Sequence, residues 1–127
     1  MSLHEVVDLV PADQLNALHF IAIGGAGMSG IAELYHRLGH PVSGCDRADS
    51  PTLRQLAASG LATAIGHDPG HLAGVDTVVI SSAIRQDNPE LVAARQQGRR
   101  VWHRSTALAA LMLDKRSVAV AGAHGKT

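Results

Sequence analysis

Apolar residues along this chain follow two alternating rhythms. Short apolar runs bounded by turn residues read as strands: "LHFIAIG" (residues 18–24), "PVSGCD" (41–46), "LATAIG" (61–66), "VDTVVISS" (75–82) and "RRVWH" (99–103). Between them, apolar positions recur every three or four residues, as on one face of a helix. Met28, Ile31, Leu34, Tyr35 and Leu38 form one such stripe, and Gly39 stops it. Ser50-Pro51 opens a second helix through Leu53, Leu56 and Ala57 to Gly60. A third has Asn88 as its cap, Pro89 in its first turn, Glu90 at the positive end of its dipole and Gly98 at its close. A fourth starts at Arg104 or Ser105 and runs through Leu108, Leu111 and Met112. Strand and helix alternate without a hairpin signal. The pattern predicts an α/β fold: a three-layer α/β/α, Rossmann-like domain with a mostly parallel five-stranded sheet. A sixth apolar run, "SVAVAG" (117–122), follows, and then "AHGKT".

Composition narrows the function classes. The 127 residues suit one domain, and 46% hydrophobic with 17% charged residues supports a real core. Net charge is zero, and Phe20, Tyr35 and Trp102 are the whole aromatic complement. Neither a basic footprint nor a stacking platform for nucleic acid is present. No apolar run is long enough to span a membrane, and no signal-peptide pattern opens the chain. A single cysteine, Cys45, excludes an intrachain disulfide and fits a cytoplasmic location. The eight histidines are scattered and show no zinc spacing with cysteine. His67 and His71 are four apart, but Pro69 and Gly70 between them argue against a shared helix face, so no metal site is expected there.

Candidate chemistry lies in two glycine loops. The first, "GGAGMSG" (24–30), contains Gly25-x-Gly27-x-x-Gly30 between a strand and a helix. Glycines there let the backbone turn tightly and approach a phosphate, while helix N–H groups point at its charge. Asp46, about 20 residues further on at the end of the second strand, stands where an acid often meets a ribose. The loop therefore holds a diphosphate, and by itself it leaves open whether that belongs to NAD(P). The second loop follows the sixth strand: Gly122, Ala123, His124, Gly125, Lys126 and Thr127. It is similar to an ATP phosphate loop, in which Lys126 reaches the outer phosphates and the Thr127 hydroxyl holds Mg²⁺. Its spacing departs from the usual one, with Val120 where the first glycine is expected. Asn88 and Pro89 read as a helix start, Trp102 as packing and Arg104 as an exposed charge.

Taken together, "HFIAIGGAGMSGIAELYHRLGHPVSGCD", "IGHDP", "VVISSAIRQDNPELVAAR" and "VAVAGAHGKT" resemble the Mur ligase family of peptidoglycan synthesis, in order and across residues 18–127. Ala123 stands where that family usually has Thr, and Cys45 where Ser is common; a cysteine there behaves as a small buried apolar residue. The resemblance implies a first domain, 1–116, that binds a UDP-sugar. It makes 117–127 the first strand and phosphate loop of a central ATP-binding domain. It assigns the first loop (Gly24, Gly25, Ala26, Gly27, Met28, Ser29 and Gly30) to the diphosphate of UDP-N-acetylmuramate and not of NAD. Asp46, His67, Ser81, Ser82 and Ala83 would line the same crevice. The implied reaction is ATP- and Mg²⁺-dependent amide formation with L-alanine through an acyl phosphate, with Lys126 and Thr127 as the catalytic phosphate-loop residues. On this basis the chain is the N-terminal part of a longer cytoplasmic ligase, inactive alone, with its unpaired last strand inclined to self-association. Three alternatives stand beside it: a relative that accepts a tripeptide as amino donor, an NAD(P)-binding enzyme fragment and a non-catalytic UDP-sugar sensor.

Overall fold

The computed structural model describes residues 9–114 and residue 116. Five strands and four helices follow in the order β1 (Leu18–Ile21), α1 (Met28–Arg37), β2 (Val42–Asp46), α2 (Pro51–Ala58), β3 (Ala62–Ile65), β4 (Thr77–Ile80), α3 (Pro89–Gln96), β5 (Arg100–His103) and α4 (Arg104–Met112). The alternation breaks once, between β3 and β4, where a 3-10 turn, Pro69–Leu72, stands in place of a helix; a second 3-10 turn, Ala12–Gln14, precedes β1. The sheet order is β3-β2-β1-β4-β5, and all four pairings are parallel. Each strand expected from the five apolar runs is present. Every strand is shorter than its run, because the runs extend into the flanking turns.

The helix starts follow the capping chemistry. Ser50 Oγ accepts the Leu53 N–H, and Asn88 Oδ1 accepts the N–H groups of Glu90 and Leu91; a proline follows each cap in the first helical position. Period-two alternation on β1 divides the core. Leu18 and Phe20 join Met28, Tyr35, Leu56 and Trp102 on the face covered by α1, α2 and α4. Ile21 joins Cys45, Val78 and Leu91 on the face covered by α3. Tyr35 ties the first layer together, its buried hydroxyl donating to the Ala107 carbonyl at 2.7 Å. Gly44 is required by packing, since a Cβ there would overlap the Ile23 side chain. The fifth strand is an edge of the sheet, yet its Trp102 is buried, with the Arg100 guanidinium 5.5 Å from its ring centroid.

Candidate functional site

Strand order reverses between β1 and β4, and a crevice opens beyond their C-terminal ends. The glycine loop follows β1 at this end of the sheet. Ala22 leaves β1 at φ 64°, a left-handed conformation that costs an alanine about 1 kcal/mol. Its carbonyl accepts the Gly25 N–H at 3.0 Å, and the Gly25 carbonyl accepts the Met28 N–H at 3.1 Å. Gly27, at φ 79°, occupies the N-cap of α1 and supplies no side chain to it. The first-turn N–H groups of a ten-residue helix thus have no side-chain cap, the arrangement that receives an anion.

The motif residues divide by role. Asp46 Oδ2 accepts the Gly24 N–H at 3.0 Å, so this carboxylate fastens the loop to β2. A Cβ on Gly24 would stand 2.8 Å from that same oxygen. Met28 sends its side chain into the core. Ala26, Gly27 and Gly30 are exposed, and Ser29 is half-buried. A methyl group added at Gly30 would meet nothing within 4 Å, so the third glycine of the pattern serves no close helix–strand packing here.

Arg104 is the residue the sequence undervalued. It opens α4, and its Nη1 lies 2.9 Å from where a Cβ on Gly27 would be. A guanidinium therefore rests against the glycine loop at the uncapped helix end. The two residues are remote in the chain, and only the placement of α4 after β5 brings them together.

Beside the loop lies a cavity of about 720 Å³, lined by Ala22, Asp46, Arg47, His67, Ala83, Ile84, Arg85, Asp87, Asn88 and Pro89. It brings together Asp46, His67 and Ala83 of the expected crevice residues. Asn88 and Pro89, read from sequence as a helix start alone, also form part of its wall. Ser81 and Ser82 follow β4, and the Ser82 hydroxyl pairs with His103 Nε2 at 3.1 Å. The Arg85–Asp87 ion pair is exposed at the rim.

Behind the cavity a cluster of side chains surrounds Glu90, which is fully buried in the first turn of α3. Its Oε1 accepts from His19 Nε2 at 2.6 Å. Its Oε2 accepts from the Cys45 thiol at 3.0 Å, from the Asp68 N–H at 2.9 Å and from His71 Nδ1 at 2.9 Å. His67 Nδ1 stands 3.2 Å from Cys45 Sγ. Burial works against ionising Glu90, but the hydrogen bonds from His19, Cys45 and His71 outweigh it and hold the carboxyl down to about 2. Burial, reinforced by that carboxylate, pushes the Cys45 thiol well above its ordinary range. Two readings of the sequence change here. Cys45 is buried as expected but bonds a carboxylate, so it is no mere apolar filler. His67 and His71 lie on no common helix; the 3-10 turn Pro69–Leu72 nevertheless carries His71 to the same carboxylate that lies 3.6 Å from His67 Nδ1. Spacing could not reveal the cluster, whose members come from β1, β2, the turn and α3.

Gly122, Ala123, His124, Gly125, Lys126 and Thr127 lie outside the described residues, as does the last apolar run. No helix among the described residues is long and apolar enough to cross a membrane.

A model of the Mur ligase family, catalytic domain, matches residues 17–116. The chain is 60% identical, over its whole length, to a UDP-N-acetylmuramate–L-alanine ligase of Cutibacterium acnes, and it spans 27% of that protein. It is 55% identical over 94% of its length to the ligase of the same name from a Nocardioides species, again spanning 27% of the relative. Among solved structures, the UDP-N-acetylmuramate–alanine ligase of Thermotoga maritima superposes with a TM-score of 0.67 at 31% identity, over 69% of this chain and 20% of that one. A UDP-N-acetylmuramate:L-alanyl-γ-D-glutamyl-meso-diaminopimelate ligase from Neisseria meningitides gives 0.65 at 29% identity, over 71% of this chain and 29% of that one. The family match runs over β1 to α4, and so over the glycine loop, the crevice and Arg104: the chain belongs to the Mur ligase family.

Proposed function

We propose that this chain binds the UDP end of UDP-N-acetylmuramate, as part of a longer ATP-dependent UDP-N-acetylmuramate–L-alanine ligase of the cytoplasm. One observation carries the reading. Asp46 and Ala22 belong both to the hydrogen bonding of the glycine loop and to the wall of the 720 Å³ cavity. A diphosphate seated at the uncapped end of α1 would have Arg104 on one side and room for its nucleoside on the other. The strands give this site a rigid base, which suits a domain whose task is positioning. In the ligase, ATP supplies the phosphoryl group that turns the muramoyl carboxylate into an acylating agent. The UDP end, held here, keeps that carboxylate in register with it.

The names of the relatives at 55–60% identity support L-alanine as the amino donor. The Neisseria neighbour, with a similar TM-score, favours a second reading in which a tripeptide takes that place. Both readings share the muramoyl nucleotide. Under either, residues 1–116 form the nucleotide-sugar domain and 117–127 begin the ATP domain. Lys126 would then neutralise phosphate charge, and the Thr127 hydroxyl would hold Mg²⁺.

Calorimetry on the purified chain tests the site. UDP and UDP-N-acetylmuramate should bind and NADH should not; NADH binding with UDP silent would replace this reading with a dinucleotide one. The complete encoded protein should release phosphate from ATP only when UDP-N-acetylmuramate and L-alanine are both present. Release with the tripeptide in place of alanine would select the second reading, and nucleotide binding without any release would indicate a sensor.

A further inference from the structure

We propose that His19, Cys45, His71 and Glu90 form a binding site for a zinc-type divalent cation beneath the nucleotide cavity. This cation site does not depend on which ligand the cavity takes. One donor atom from each of the four residues lies within 4.8 Å of every other. Two imidazole nitrogens, one sulfur and one carboxylate oxygen make a donor set that suits zinc, which binds such mixtures in tetrahedral sites. Three of the four residues are buried and the fourth, His71, is half-buried. Two neutral imidazoles, a thiolate and a carboxylate carry two negative charges between them, which one divalent cation cancels. A buried charge balance of this kind avoids the cost of an unpaired ion.

Surrounding groups complete the case. His19 Nδ1 lies 2.8 Å from Ser43 Oγ, and that hydroxyl is oriented to donate to the Leu18 carbonyl at 3.5 Å. Ser43 can therefore accept an Nδ1–H, the tautomer that leaves the Nε2 lone pair for a metal. Glu90 Oε1 would bind the cation while Oε2 keeps the Asp68 N–H. His67 lines the cavity and stands beside Cys45 Sγ, so the cavity gives a path inward. Binding replaces the hydrogen bonds that His19 Nε2 and His71 Nδ1 make to Glu90, so each imidazole becomes neutral with its one proton on the nitrogen that faces away from the metal. The Cys45 S–H bond breaks, sulfur keeps the electron pair as thiolate and bonds the metal, and the thiol proton, with any second imidazole proton, passes to buffer.

The test uses the full 127-residue chain, first dialysed against a chelator and then titrated with cobalt(II) and zinc(II). Cobalt should bind with one equivalent, produce a thiolate-to-metal charge-transfer band together with the intense visible bands of a four-coordinate ion, and be displaced by zinc. Calorimetry in buffers of different ionisation enthalpy should show proton release. Cys45→Ser should abolish the charge-transfer band, and His71→Asn, at a half-exposed position, should weaken cobalt binding at least about 100-fold while the protein remains folded by circular dichroism. The absence of cobalt binding by the folded wild-type chain would overturn the proposal. So would binding that lacks the thiolate band or is unchanged in both variants, which would place the metal on other histidines.

Discussion

The glycine loop and the Glu90 cluster lie at the same end of the sheet and are built on opposite principles. In the loop the working groups belong to the backbone. Ala26 and Gly27 are exposed, no side chain caps α1, and one guanidinium stands nearby. In the cluster the working groups are side chains, and the carboxylate at its centre already has four donors. An exposed loop can leave N–H groups unpaired because water serves them until an anion arrives. A buried carboxylate has no such recourse, so its partners must be part of the fold. Among the described residues, no buried side-chain nitrogen or oxygen lacks a partner. The contrast separates nucleotide binding from stability: substitutions in the loop should change nucleotide affinity more than folding, and removal of the carboxylate at the centre of the cluster the reverse.

The largest expected effect lies in the cluster. Glu90→Ala would remove the acceptor of His19, Cys45, His71 and the Asp68 N–H at once, and a buried network broken on one side costs about 3–5 kcal/mol. Thermal denaturation should show a fall of about 9 °C or more, since each kcal/mol moves the melting temperature of a domain this size by roughly 3–5 °C. A loss of less than about 1 kcal/mol would mean that water replaces the carboxylate and that the cluster is not a keystone of the fold.

A smaller effect on stability, with a larger one on binding, is expected in the loop. Gly27→Val would force a β-branched residue to φ 79° and press its Cβ against Arg104, costing about 1–2 kcal/mol. UDP binding should disappear with it. Arg104→Ala separates charge from strain. That side chain is exposed, so the melting temperature should stay within about 2 °C while UDP affinity falls about tenfold or more, the worth of one charge-assisted hydrogen bond. Equal UDP affinity in wild type and Arg104→Ala would confine the anion site to the backbone.

The same contrast explains what the sequence disclosed. The sheet, its four helices and the first glycine loop were legible because each is written in consecutive residues, as a period, a cap or a turn. The loop's partner Arg104 and the Glu90 cluster were not, because their members meet only through the crossovers. Glu90 reads from sequence as a favourable charge in a first helical turn, and that reading is compatible with an exposed residue. Its burial depends on β1 presenting His19, β2 presenting Cys45 and the 3-10 turn presenting His71 to one point. Cys45 carried a weak signal, since it stands where the family resemblance leads one to expect serine. The left-handed Ala22 carried none; a glycine would have announced that turn.

The smallest effect is expected at Gly30, where the loop's glycine pattern can be tested against its own logic. Gly30 completes the Gly25-x-Gly27-x-x-Gly30 spacing, yet it stands exposed in the first turn of α1, with open space where a Cβ would be. Its backbone is helical, and within the motif Gly27 is the glycine that takes a positive φ. An alanine at Gly30 keeps the N–H that an anion would use and lowers the entropy lost on forming the helix. Gly30→Ala should therefore raise stability by about 0.5–1 kcal/mol, seen as a rise of a few degrees in melting temperature, and leave UDP affinity within about twofold. A sharp loss of UDP binding would show that the ligand approaches the helix closely enough at this turn to exclude a methyl group. The third glycine would then belong to the contact surface, and the division between a loop that binds and a helix that supports would move one turn further into α1.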